Sequence, residues 1–181
     1  FVGADVLSRP EHARPARAIL LTDDAGFAVR VQAEVEEQLA KLPRREIAEE
    51  SLGRSGGIIL VRSLDEACEL ANEIAPEHLE LATENCEELL PKIRNAGAVF
   101  LGKWTSEPIG DYFAGPNHTL PTGGTARFFQ VLNQNTFLRK MSVIRYTREA
   151  VHADAADIIR LAEAEGLSAH ANAVRLRAEE E

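Results

Sequence analysis

What the sequence has little of narrows the field first. Only two cysteines, Cys68 and Cys86, occur in 181 residues. They make one pair at most, and both sit in helix-like patterns where a small buried thiol is the ordinary role. Positive charge is outnumbered, 20 Lys and Arg against 29 Asp and Glu, a formal net charge of −9. No basic cluster is dense enough to track a phosphate backbone, so nucleic acid is not an expected partner. No apolar run approaches the roughly 20 residues a bilayer crossing requires. The opening stretch "FVGADVLSRPEH" has neither a basic start nor the apolar core of a secretory signal. No internal repeat and no low-complexity segment is present. These absences point to a soluble, cytoplasmic protein of a reducing compartment, with no membrane partner. The chain begins with Phe1 and enters a helical pattern at once, so a fragment or processed product is expected.

What is there suits a buried core: 45% of the residues are hydrophobic, enough for one domain or one plus an appendage. "RAILLT" (17–22) is a short apolar run bounded by polar residues, as in a buried strand. Phe27, Val31, Val35, Leu39 and Leu42 then form a helical stripe. "GGIILVRS" (56–63) reads as a second strand. Ser63 and Glu66 fit a capping box opening the helix "LDEACELANEIA", which stops before Pro76 because a residue preceding proline is pushed out of the α region. "HLELAT" (78–83) alternates like a strand, "ENCEELLPKIRNAG" (84–97) predicts a helix ended by Gly97, and "AVFLG" (98–102) another strand. Strands alternating with helices at this spacing predict an α/β fold with a parallel or mostly parallel sheet and flanking helices.

Residues 103–124 break the pattern. They hold four Gly and three Pro in 22 positions, and so long an irregular stretch inside a compact domain is usually functional. A short helix over 131–140, a strand "SVIRYT" (142–147) and two helices divided near Gly166-Leu167-Ser168 are predicted beyond it. This tail is alanine-rich and charged, too thin in large apolar residues to fold alone, and is expected to pack on something else, such as another subunit.

Pro-Glu-His occurs twice, as Pro10-Glu11-His12 and Pro76-Glu77-His78, although the chain has only five histidines. At the second copy an acid and a base follow a helix end at a strand entrance, where side chains can project into a crevice at the sheet edge. Such a pair can divide acid–base work; equally, the residues fit a solvated Glu and a capping His. In "GDYFAGPNHTLPTGG", Asp111 and His118 are donors in a glycine-flanked loop, suited to a metal, to substrate or to hydrogen bonds within the loop. Its Gly-Gly lacks the Gly-Lys-Ser/Thr of a P-loop. Glu165 and His170 flank the helix break in "AEGLSAHANAVRLR", and His152 in "EAVHADA" reads as a surface residue.

Taken together, "DVLSRPEH…AILLTDD", "APEHLEL", "GAVFLG…GDYFAGPNHTLPTGGTARF", "SVIRYTREAV" and "AEGLSAHANAVRLR" resemble, in order and over nearly the whole chain, the C-terminal half of histidinol dehydrogenases. The resemblance implies an incomplete Rossmann-like sheet over 1–132 and a small helical C-terminal dimerisation arm over 133–181. It implies oxidation of L-histidinol through the aldehyde to L-histidine, with NAD+ and a bound Zn2+, in histidine biosynthesis. It makes Glu77 and His78 the catalytic acid–base pair, and His12, Asp111 and His170 zinc ligands. His12, His78, Asp111, Glu165 and His170 would touch substrate, and His118 would line the same site. The two Pro-Glu-His copies would then be different devices, His12 for the metal and Glu77–His78 for protons. It further implies a homodimer whose C-terminal arm carries Glu165 and His170 to the partner's site.

Two departures accompany the resemblance. Arg9 stands where the family has a zinc-binding Gln, and a guanidinium has no lone pair to give a cation. The family's N-terminal half, with its nicotinamide-contacting residues, has no counterpart here, so no cofactor-binding residue is assigned and this polypeptide alone is expected to be inactive. Two rival readings remain: a non-catalytic remnant with weak or no metal binding, and an alcohol dehydrogenase acting on a different substrate. The acid and histidine of "AEGLSAHANAV" favour an imidazole-bearing substrate over the latter.

Overall fold

The computed structural model describes residues 1–180. The chain divides into two compact units, Phe1–Phe137 and Leu138–Glu181. In the first, helix α1 (Val2–His12) packs on α2 (Ala25–Leu39) and α3 (Arg45–Ser55). The Asp24 carboxylate caps α2 by accepting the Phe27 N–H at 2.9 Å. α3, absent from the sequence reading, is pinned by the fully buried Ser51, whose hydroxyl donates to the Ala16 carbonyl at 2.9 Å. Strands β1 (Ile19–Thr22) and β2 (Gly57–Leu60) pair in parallel, Ile19 opposite Gly57 and Thr22 opposite Leu60. Every residue of β2 is exposed, including Ile58, Ile59 and Leu60, so this apolar strand has neither a second neighbour nor full cover among the described residues.

Helix α4 (Leu64–Ile74) starts as expected at Ser63, whose hydroxyl accepts the Glu66 N–H at 3.3 Å. The return bond is displaced by one residue: the Glu66 carboxylate accepts from the Arg62 amide at 2.6 Å. α4 ends at Ala75, fully buried and left-handed at φ 50°. Pro76 disfavours a right-handed turn before it, and the left-handed conformation costs a non-glycine residue about 1 kcal/mol. β3 (His78–Leu81) and β4 (Ala98–Leu101) form a second parallel pair, with His78 opposite Ala98 and Glu80 opposite Phe100. The parallel pairing is as the alternation predicts, in two short two-stranded sheets.

Between β3 and β4 the helix expected over 84–97 shrinks to α5 (Cys86–Leu89) and a 3-10 turn, Leu90–Lys92. Pro91 cannot donate to a continuing helix. Asn72, buried on α4, holds the chain that follows. Its side chain accepts from the Arg94 and Asn95 amides at 2.6 and 3.0 Å and donates to the Lys92 carbonyl at 2.8 Å. Cys68, Leu81 and Leu89 form the core beneath, joined by Leu64, Leu79, Val99 and Leu101. Both cysteines are free thiols.

The supposedly irregular stretch 103–124 contains a helix, α6 (Glu107–Tyr112). The helix expected over 131–140 is only a 3-10 turn, Gln134–Phe137, and "SVIRYT" is exposed chain outside any sheet. In the second unit α7 (Arg148–Ala164) and α8 (Ser168–Ala178) pack as a hairpin turned at Gly166, φ 74°. Among the described residues its buried side chains are two alanines, Ala155 and Ala171. No helix among the described residues is long and apolar enough to cross a membrane.

Candidate active site

The chemistry-bearing face is built by β3, β4 and α6. Side chains alternate along a strand, so His78 and Glu80 share one face of β3, and the register sets Phe100 of β4 across from Glu80. Residues 107, 110 and 111 share one face of α6, being three and four apart. These two faces meet. A Cβ on Gly110 would lie 2.6 Å from the Phe100 ring, so only glycine lets α6 come this close. The Phe100 ring in turn packs beside the His78 imidazole, centroids 5.8 Å apart.

The contact brings an imidazole and two carboxylates together. His78 Nε2 is 3.5 Å from Asp111 Oδ1 and 3.8 Å from Glu107 Oε1. The His78 side chain is only 10% exposed, and its Nε2 is buried without a hydrogen-bond partner. Among the described residues this is the one group of three ligand-type side chains whose donor atoms all lie within 4.8 Å of one another. Burial pushes the Glu107 carboxyl above its usual range, the Asp111 charge adds to the rise, and His78 and Arg9 oppose it. Asp111 also lines a cavity of about 180 Å³ between β4, α6 and the following loop, whose far wall includes His118.

Two acids stand behind this cluster. Glu80 Oε1 accepts the Glu107 N–H at 2.8 Å, and Asp5 of α1 lies beside it. Burial, against the pull of that amide, drives the Glu80 carboxyl up to about 7, with the Asp5 and Glu107 charges contributing. Burial raises Asp5 as well. Both acids border a larger cavity of about 490 Å³ reaching Arg30, Glu34 and Lys103.

The residues singled out in the sequence are dispersed. His78 and Asp111 meet in the cluster. Glu77, just before β3, turns away from it to an ion pair with Arg9, both side chains being partly buried. Adjacent residues of an extended chain point to opposite sides, which is why the sequence-neighbouring Glu77 and His78 have different partners. Gly97 keeps this junction tight: a Cβ there would stand 2.5 Å from the Glu77 carbonyl oxygen. His12 ends α1, exposed, outside the three-donor group, with its carbonyl accepting from Arg44 at 3.3 Å. Glu165 and His170 lie on the second unit, exposed on either side of the α7–α8 turn. His152 is exposed on α7.

Glu107 and Glu80 were missed. Glu107 was readable from its spacing of four from Asp111 after a serine and before a proline, a helix-start pattern. Glu80 was readable from its alternation with His78.

Comparison with known proteins agrees with the motif order. A family model described as histidinol dehydrogenase matches residues 1–178. The chain is 52% identical over 179 residues to the histidinol dehydrogenase of Heliobacterium mobile, covering 99% of this chain and 42% of that one. To the histidinol dehydrogenase of Geobacter metallireducens it is 53% identical over 176 residues, 97% and 40% of the two chains. The crystal structure of histidinol dehydrogenase from Elizabethkingia anophelis superposes with a TM-score of 0.85 at 41% identity, over 97% of this chain and 40% of that one. The chain thus spans about two fifths of the length of the curated relatives it matches.

Proposed function

The chain belongs to the histidinol dehydrogenase family, and from that premise we propose that it carries part of a site that oxidises L-histidinol through the aldehyde to L-histidine. The rest of the site is supplied by sequence outside these 181 residues. The observation that carries this reading is the buried, unpartnered His78 Nε2 facing Asp111 and Glu107.

His78 is the proton acceptor. Its free Nε2 takes the carbinol hydroxyl proton as hydride departs, and the positive charge so formed faces two carboxylates. Glu77 acts in the second oxidation, accepting a proton from the water whose oxygen adds to the aldehyde carbon. Arg9 is paired with the Glu77 carboxylate and must release it for that step. NAD+ supplies the hydride acceptor, bound by residues this chain lacks.

Zinc accepts imidazole and carboxylate donors, the types that His12, Asp111 and His170 offer; of these three, Asp111 lies in the three-donor group with His78 and Glu107. We assign a zinc ion to His12 and Asp111 with His170, the last contributed across a dimer. When bound, zinc supplies a template that orients the substrate's amine and imidazole. Glu165 with His170 at the tip of the α7–α8 hairpin is the substrate-facing pair of the arm. The exposed Met141, Val143 and Ile144, 82%, 87% and 82% accessible, support a second copy covering this unit. The small cavity beside Asp111, below the 300–1,000 Å³ usual for ligand pockets, fits a site completed from elsewhere.

NADH formation from histidinol tests the reading, using this chain alone and together with the remaining three fifths of a relative as a separate polypeptide. Turnover only in the combination, lost in His78→Asn, is the expected result. Absence of turnover from two folded, associated polypeptides defeats it. That outcome would favour a second reading, a non-catalytic remnant, which the Arg9–Glu77 ion pair supports because it engages the carboxylate the second oxidation needs free.

A further inference from the structure

We propose that Glu80 is a positioning residue of this site: by accepting the Glu107 amide it fixes α6, and with it the Glu107 and Asp111 carboxylates, against the His78 imidazole. Its significance for catalysis rests on the reading of the site given above.

The geometry carries the assignment. β3 presents two groups on one face, the His78 ring and, two residues on, the Glu80 carboxylate. α6 meets both, the Glu107 and Asp111 side chains facing His78 Nε2 and the Glu107 main-chain N–H meeting Glu80 Oε1 at 2.8 Å. One strand therefore holds both the base and the anchor of the helix that carries the opposing acids. The anchor is needed because α6 has six residues and no side-chain cap of its own, Ser106 making none. So short a helix is unstable by itself and keeps its place only through tertiary bonds.

The location of Glu80 is otherwise unfavourable. A strand position against Phe100 and α6 suits an aliphatic side chain, and Asp5 and Glu107 put two further carboxyls beside it. An aliphatic residue would fill the volume but leave the Glu107 N–H without its acceptor, the more costly half of a broken hydrogen bond. Gly110 against Phe100 sets how near α6 approaches, while the Glu80 bond fixes its register along the sheet.

Two variants of the isotope-labelled 181-residue chain separate the acceptor from charge and size. Glu80→Gln keeps an acceptor oxygen of the same reach without charge; Glu80→Leu keeps bulk without an acceptor. Readouts are hydrogen exchange at the Glu107 amide and the Nε2 resonance of His78 in long-range proton–nitrogen spectra, with thermal melting as the check on folding. In Glu80→Leu the Glu107 amide should exchange about tenfold faster, and the His78 Nε2 resonance should shift as the carboxylates move. Glu80→Gln should restore both. If Glu80→Leu does not fold, Glu80→Val, a better strand former, takes its place. Wild-type values of both readouts in a folded Leu or Val variant overturn the proposal, as does a Gln variant that fails as completely as Leu. Neither readout needs turnover, so an inactive wild-type assembly would sink the histidinol reading while leaving the positioning role to stand or fall by itself.

Discussion

Arg9 of α1 and Glu77 at the mouth of β3 form an ion pair across 68 positions of sequence. It ties the helix that ends in His12 to the strand that begins with His78. Part of the positive charge that the proposed site would gather near these acids is already covalently present, since the Arg9 field reaches Glu107 as well.

Replacing Arg9 should therefore open the site to metal. Arg9→Gln is expected to bind Zn2+ roughly tenfold more tightly than wild type, the scale of removing one fixed charge within about 10 Å of a divalent ion in a partly solvated site. Arg9→Lys should stay near wild type. Calorimetric titration with zinc alone decides it, and equal affinities for Gln and Arg would remove the electrostatic explanation.

Glu80 gives stability a pH dependence of defined sign. Its folded carboxyl titrates near 7 against 4.5 in the reference state, so the folded chain binds the extra proton between those values. Its contribution is present at low pH and lost as pH rises through about 7. Because the group is only half-buried, solvent screening reduces the effect to about 1 kcal/mol. Thermal melts should show Glu80→Gln gaining on wild type from pH 5 to pH 8, and parallel curves would contradict the shift.

Gly110 should not tolerate a methyl group. Although alanine is the better helix former by about 1 kcal/mol, its Cβ would press on the buried Phe100 ring. Overpacking of that kind costs about 1–3 kcal/mol. Gly110→Ala is expected to lower the melting temperature and perturb His78, whereas Gly110→Ala with Phe100→Leu should recover much of the loss.

Asn72→Leu should be among the more damaging single changes. It strands the Arg94 and Asn95 amides and the Lys92 carbonyl at about 2–4 kcal/mol. For a chain of this size that is a fall in melting temperature of roughly 5–15 °C. A melt within 2 °C of wild type, on the order of only half a kcal/mol, would show that water replaces the side chain.

Legibility of the sequence followed burial and length. β1, α2, β2, α4, β3 and β4 were readable because each carries an apolar period or a capping residue strong enough to act locally. α5 was overestimated, as the apolar period of 84–97 runs on through Pro91 while the backbone cannot. α6 was harder to read because, after the helix-start pattern Ser106-Glu107-Pro108, its remaining residues Ile-Gly-Asp-Tyr are weaker helix formers, held by Glu80 and Phe100 from other elements. "SVIRYT" alternates like a strand but meets none among the described residues. In the site, His78 and Asp111 were legible as types within motifs. Glu107 and Glu80 left traces in spacing and alternation, but their roles in the site follow from how α6 lies on β3.

Strand β2 is left as a rim in a place where its composition belongs at a middle. Ile58, Ile59 and Leu60 meet water, and one line of main-chain donors and acceptors has no mate among the described residues. The same three side chains that would knit this sheet to further strands make the isolated polypeptide adhesive, so its solubility is governed by concentration as much as by its net negative charge.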